Sequence, residues 1–447
     1  MAAGLLLRLI RLSLPLLLLG LAWHLKHPLM YWLRHLETPL LLAIASGLAW
    51  RRGLPGRLPV VLLLAVIVVT LFREGEYQNQ RAAVLAGGDS MQTVGAHFIV
   101  GFTDFAELQP LAAGGLIGGI YLGKRNLRGR QLPEVAAEIA ALQAVRQRAG
   151  LPPLIVAADQ EGGPVSHLSP LLAAMPPLAS LVGAGDQRQR AHRYGAEQGR
   201  GLAALGVNLN FGPVVDLRPA TADNPHDRLT RIAARAIAAD PATVGEVASA
   251  YIDGLGEQGV RATLKHFPGL GRVKQDTHLR AARLDESPAA LAGDWQPFRQ
   301  LADHPGAAMM LGHVTLSAID PQRAASHSAA VVDGLLRTDW NYEGVLITDD
   351  LNMGAVYDLG IGRVAAEALA AGVDLILVSY DPRQVYRAIY GAAQAFEQGG
   401  IGRSRLLNSQ QRIEKFILPG GSGAAFGTNA KIAHPVSKPP RDAPVDS

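Results

Sequence analysis

Between residues 97 and 380, eight short apolar runs rich in β-branched residues recur: His97–Gly101, Gly119–Leu122, Leu154–Ala158, Val207–Val215, Arg261–Leu264, Ala307–Leu311, Gly344–Thr348 and Val373–Ser379. Runs that are apolar throughout, not alternately polar, belong to strands buried on both faces, as in a parallel sheet covered by helices. The intervening chain supplies the helices, because Pro133–Arg148, Gln187–Leu205, Pro241–Gln258 and Gly362–Ala371 are Ala-rich with helical spacing. Eight such units fit an α/β fold of the (β/α)8 TIM-barrel type with enlarged loops. The rival, an open doubly wound sheet, would carry a Gly-rich phosphate turn after its first strand. Here Gly114-Gly115 and Gly118-Gly119 precede a strand instead.

A barrel gathers its chemistry where strands end. Asp159, Asp216, Lys265 with His266, His313 and Asp349 end five consecutive runs. Asp349 and Asp350 are neighbours on an extended segment, so one carboxylate enters the mouth while the other is tied into the loop. Asp349 is expected to attack or stabilise an oxocarbenium-like centre; Asp350 suits a cap or structural role. In Asp276-Thr277-His278, residues i and i+2 share a face, so the carboxylate reaches the ring and favours the imidazolium of a general acid. Asp159 can accept two hydrogen bonds from a vicinal diol. Lys265 and His266 either bind sugar hydroxyls or brace the rim as an ion pair. His167 and His313 are open between binding and loop packing. Without a close pair of His ligands on one helix or strand, no metal is expected, and the absence of cysteine removes thiolate ligands and a thiol nucleophile.

The N-terminus differs in kind. Leu12–Leu25, Thr38–Trp50 and Leu58–Phe72 are uncharged apolar runs of 14, 13 and 15 residues, flanked by Arg or Lys and by Trp23, Trp32 and Trp50. They are read as two or three transmembrane helices lengthened by snorkelling cations, so a lipid bilayer is an expected partner. Residues 1–80 hold eight Lys or Arg and three acids, a net of +5, against +4 for the whole chain. The remainder is therefore close to neutral, which argues against nucleic-acid binding. Arg8, Arg11, Arg51, Arg52 and Arg57 lie on one side of three spans and Lys26, Arg34 and Arg73 on the other. That bias places the N-terminus inside and the rest of the chain on the periplasmic face of a bacterial inner membrane; two spans would reverse it. The expected organisation is a membrane-anchoring segment over 1–73, a polar linker over 74–95, a catalytic domain over 96–418 and a disordered tail over 419–447.

The ordered motifs Phe98–Phe102, Asp159-Gln160-Glu161-Gly162-Gly163, Asn210–Asp216, Lys265–Gly269, Asp276–His278 and Thr348–Met353 resemble those of the β-N-acetylhexosaminidases of glycoside hydrolase family 3. These enzymes remove N-acetylglucosamine from peptidoglycan fragments. The resemblance covers residues 97 to about 417. It implies a (β/α)8 barrel that works without a metal or cofactor, retaining configuration through a covalent glycosyl-enzyme. By motif position, Asp349 resembles the nucleophile and His278 the acid/base partnered by Asp276. Asp159, Lys265, His266 and Arg235 resemble the residues that hold the terminal N-acetylglucosamine. Leu270 and Arg272-Val273 depart from the His and Asp-Thr common there. An arginine usual after the Asp159–Gly163 stretch is replaced by Pro164 or His167, which leaves subsite preference open. The other readings are a β-glucosidase or glycoside phosphorylase of the same family, or a tethered peptidoglycan-binding protein without turnover.

Overall fold

The structure is a computed structural model describing residues 2–33, 35–50, 57–183, 185–220 and 226–417. All eight expected runs contain strands: β1 (Phe98–Val100), β2 (Gly119–Leu122), β3 (Ile155–Ala158), β4 (Leu209–Asn210), β5 (Ala262–Phe267), β6 (Ala307–Leu311), β7 (Leu346–Thr348) and β8 (Ile376–Val378). They form two parallel sheets, ordered β8-β1-β2-β3-β4 and β7-β6-β5. Isolated parallel bridges join the sheets at both seams, Leu209 with Arg261 and Val214 with Lys265 on one side, Ile347 with Leu375 on the other. The fourth run is regular over only two residues, because Pro213 lacks the N–H that a ladder needs.

Alternation along the strands sorts their side chains into two layers. Ile99, Ile155, Ala157, Leu209, Met310 and Leu377 point inward into one cluster, while Phe98, Val100, Val156 and Leu264 pack outward against the helices. The expected helices are Leu132–Arg148, Gln187–Ala204, Pro241–Gly256 and Ile361–Ala371. Asp240 caps the third: its carboxylate accepts the Thr243 N–H at 2.8 Å, and Pro241 needs no partner at the first helical position. A last helix, Arg403–Ile417, crosses the side from which the strands start. There Arg412 reaches the buried Asp374 at 2.9 Å, Ser409 meets His97, and Phe416 enters the inner cluster.

The three N-terminal runs lie in the helices Ala2–Trp23, Glu37–Trp50 and Arg57–Ala86. Leu18, Ala22, Leu41, Ala45, Leu63 and Val66 form a core of their own, whereas Leu16, Leu17, Val61, Val68, Leu71 and Phe72 are exposed. Among the described residues, the helix Arg57–Ala86 is long and apolar enough to cross a membrane, with a mean hydropathy of 2.1 over 18 residues. The stretch expected as a linker is instead mostly helical. Arg57–Ala86 runs on past Arg73, and Asp89–Gly95 forms a further turn of helix. Polarity marks where the apolar run ends, but Glu, Gln, Arg and Ala are strong helix formers and keep the backbone helical. The tail after 417 lies outside the described residues.

Candidate active site

Asp159 leaves β3 into a tight hairpin, Gln160–Gly162 against Val165–Ser166. Gly162 has φ +88, and a Cβ there would lie 2.0 Å from the Tyr194 hydroxyl, so only glycine fits the turn. The hairpin returns His167, whose N–H donates to the Asp159 carbonyl at 3.0 Å. Asp159 accepts from Lys265 Nζ at 2.5 Å and from the Tyr121 hydroxyl at 3.0 Å; that hydroxyl also meets His167 Nδ1 at 2.7 Å. Lys265, on β5, is 2.6 Å from Glu161 as well, and Arg235 clamps Glu161 with two bonds of 2.7 and 3.0 Å. Four charges of alternating sign therefore share one buried wall of the mouth. Of the two readings for Lys265, the ion pair is the one formed, with both Asp159 and Glu161.

His266 is oriented by Asp216, which accepts the ring Nδ1 hydrogen at 2.7 Å and the backbone N–H at 3.0 Å. Its Nε2 then accepts from Arg235 Nη2 at 3.3 Å. Asp276 is held by Leu229 N–H at 2.6 Å and by the Thr230 hydroxyl at 3.0 Å, and its Oδ1 lies 3.0 Å from His278 Nδ1. The i, i+2 contact read from the sequence is thus present, with His278 Nε2 left for the other side. Thr230 also offers its carbonyl to Arg235 at 2.9 Å, so one residue links the charged wall to the dyad.

Asp349 and Asp350 divide as expected. Asp350 is consumed structurally, accepting from Asn352, from the Ser379 N–H at 3.1 Å and hydroxyl at 2.7 Å, and from the Tyr380 N–H at 2.8 Å. This clamps the loop after β7 to the loop after β8. Asp349 accepts only its neighbour's N–H at 2.8 Å among these loop contacts. Burial pushes its carboxyl up, but His266, His313 and His278 around it outweigh that and hold it below the usual carboxylate range. His313 is a packing residue here, bonded to Ser326 at 2.8 Å and to the Asp350 carbonyl at 3.0 Å.

The Asp349 loop also seats the dyad: Gly354 N–H donates to the His278 carbonyl at 2.9 Å and Ala355 N–H to that of Thr277 at 3.2 Å. A Cβ on Gly354 would lie 2.6 Å from the Leu279 carbonyl oxygen. Gly354→Ala is therefore expected to displace the His278 loop and lower kcat by on the order of 10- to 100-fold, with KM little changed. Steady-state kinetics check this, and a change confined to KM would refute it.

Burial also raises Asp159, but Lys265 first, then His167 and Arg235, bring it down to about 2. Since the folded value lies below the unfolded one of about 3.9, this carboxylate's stabilising effect is complete above pH 4 and lost as pH falls towards 2. The shift corresponds to roughly 2 to 3 kcal/mol at neutral pH. Asp159→Asn should cost that much at pH 7, and its unfolding curve should converge on the wild type's near pH 2.

Tyr121, Glu161, Asp216 and Thr230 thus join the eight site residues expected from the sequence, all of which fall into this one cluster of loops. Among the described residues no three His, Asp or Glu are grouped as a metal site.

Residues 91–416 match the family model described as the glycosyl hydrolase family 3 N terminal domain. A β-hexosaminidase of Nitrosomonas eutropha is 32% identical over 306 residues, 67% of this chain and 84% of that protein. One from Idiomarina loihiensis is 34% identical over 69% of this chain and 90% of its own. Among solved structures, a family 3 β-N-acetylglucosaminidase from Paenibacillus superposes with a TM-score of 0.67 at 30% identity, over 77% of this chain and 66% of that one. A β-N-acetylhexosaminidase from Beutenbergia cavernae gives 0.66 at 27%, over 74% and 99%. With the parallel strands, the loop-borne carboxylates and these likenesses together, the chain belongs to glycosyl hydrolase family 3, alongside the β-hexosaminidases of that family.

Proposed function

We propose that the protein is a membrane-anchored, retaining exo-β-N-acetylglucosaminidase acting on peptidoglycan-derived glycans. The observation that carries this is the pinning of the Asp276–His278 dyad, through Gly354 and Ala355, to the loop that bears Asp349. His278 Nε2 gives its proton to the leaving oxygen as the anomeric carbon–oxygen bond breaks and the Asp349 carboxylate bonds to that carbon. Water then attacks the same carbon, His278 takes its proton, and Asp349 leaves as carboxylate. Asp159, Lys265, Arg235 and His266 hold the terminal sugar: its hydroxyls replace part of the salt-bridge network, and Tyr121 keeps His167 and Asp159 in register. Two displacements at one carbon give net retention.

Support for a closed (β/α)8 barrel over 96–418 comes from the bridges at both seams between the sheets. Support for an anchor over 1–73 comes from the apolar outer surface of the three helices and from the 30-residue helix Arg57–Ala86. The basic bias of residues 1–80 favours an inner-membrane protein with its catalytic domain in the periplasm. The test is hydrolysis of a chromogenic N-acetyl-β-glucosaminide and the matching β-glucoside by the full chain in detergent, with the first product anomer followed by NMR. Cleavage of the former with the β-anomer appearing first is expected. Preference for the glucoside, a phosphorylated product in phosphate buffer, or binding without turnover would each replace the reading.

A further inference from the structure

The N-terminal helices do not hang from the domain at random: the segment joining the first two lies on the rim that carries the chemistry. Tyr31 bonds Thr103, just after β1, at 3.0 Å. Arg125, after β2, stacks over Tyr31 and donates to the Tyr380 carbonyl after β8 at 2.5 Å. Glu37 pairs with Arg383, and the Lys26 carbonyl accepts from Gln384, both beyond β8. His27 packs on Tyr357 and lies 3.5 Å from Asp358, beyond β7. Each partner follows a strand, so these contacts fall on the C-terminal side of the sheet, the side of Asp349 and Asp159.

The other side of the same segment faces outward and is apolar. Leu29 is 75% exposed, Trp32 77% and Leu36 60%, with Trp23 at 60% beside them. Trp flanking apolar helices marks the level where lipid meets water, and exposed Leu beside it suits the apolar side of that level. The described residues of 24–33 and 35–38 therefore form a plate, bonded to the rim on one side and exposed and apolar on the other. Its thickness is that of one helix, about 10 Å. Between plate and rim lies a cavity of about 650 Å³ bordered by Tyr31, Tyr77, Tyr386, Arg81, Arg383 and the β1 exit. Its lining also includes Glu74 and Glu107, so the cavity is polar and mixed in charge.

We propose that the mouth of the domain is held at the bilayer surface, and that the substrate is a terminal β-N-acetylglucosaminyl glycan whose far end is embedded in that same membrane. A freely diffusing fragment gains nothing from a mouth turned to the lipid. A glycolipid or lipid-carried glycan, emerging from the interface, meets the site within a few sugar lengths. The proposal rests on the hydrolase and membrane readings above and adds the orientation and the substrate class.

The chain has no cysteine, so single labels can report orientation in vesicles of full-length protein. A fluorophore on Leu359→Cys, in the loop after β7, should be quenched by headgroup-labelled lipid; one on Arg148→Cys, on the side where strands begin, should not. In the same vesicles, a synthetic glycan with a lipid tail should be cleaved with kcat/KM at least about 10-fold above its water-soluble counterpart, as expected when both partners share a surface. Leu29→Ser and Trp32→Ser, on the outward face and outside both the cavity and the catalytic cluster, should keep turnover of the soluble glycan and lose most of that preference. Quenching at residue 148 but not 359, or equal use of the two glycans, overturns the proposal. Cleavage of neither glycan with residue 359 quenched brings down the hydrolase reading, and the substrate class with it, while the orientation stands.

Discussion

Asp349→Ala is expected to abolish hydrolysis, lowering kcat on the order of 10⁴-fold or more, because in the proposed mechanism Asp349 is the nucleophile that forms the glycosyl-enzyme. The side chain is well placed for that cost to be chemical. Its one loop contact is the N–H of its neighbour, whereas Asp350 and the Tyr357–Gln384 bond tie the segment after β7 to that after β8. The variant should therefore fold and bind sugar, which separates loss of chemistry from loss of structure. The pH profile carries the same signature. Attack needs the ionised carboxylate, and the three surrounding histidines hold that carboxyl low. The acid limb of kcat/KM should thus lie below the ordinary carboxylate value of about 4, with activity lost as pH falls through it. A limb that stays in place when Asp349 is replaced by Glu in a still-active variant would assign it to another group.

The second large effect is at the dyad. His278→Ala should reduce kcat by about 10²- to 10⁴-fold on natural glycans, whose leaving oxygen needs a proton. Substrates with acidic phenol leaving groups should suffer much less in the first step. The second step, in which the proposed mechanism has His278 activate water, should then become limiting, so a burst of phenol should precede slow turnover. Azide, a nucleophile that needs no general base, should restore turnover of the variant. Asp276→Asn should give a milder loss, because the amide still fills the site but no longer holds the His278 ring by a charge-assisted bond. An unchanged leaving-group dependence in His278→Ala would exclude it as the acid.

Much of this was legible in the chain. Buried parallel strands are apolar throughout, so all eight stood out, and charged residues at their ends stood out against them. The Asp276–His278 contact was readable because two-residue periodicity is local. Other members of the site were not. Tyr121 sits inside an apolar strand and looks like core until its hydroxyl is seen between Asp159 and His167. Thr230 lies 46 residues before Asp276, and no local rule relates them. Glu161 did carry a signal, since i, i+2 places it beside Asp159 on an extended segment. The linker was misjudged because loss of hydropathy is independent of helix propensity: Arg73 and Glu76 pair at 2.7 Å along a helix that never breaks there.

The helix Arg403–Ile417 supplies Phe416 to an inner layer whose other members begin at Ile99. That ring is therefore synthesised after every strand of the two sheets. Until that aromatic ring arrives, the inner layer is open to water at its base, and closing it demands contacts across some 300 residues of chain, the slow kind to form. The nascent domain must wait, with apolar edges showing, through nearly all of its own synthesis. Its failures should accordingly be failures of completion, in which shortening the last helix releases a chain with most of its strands and no floor.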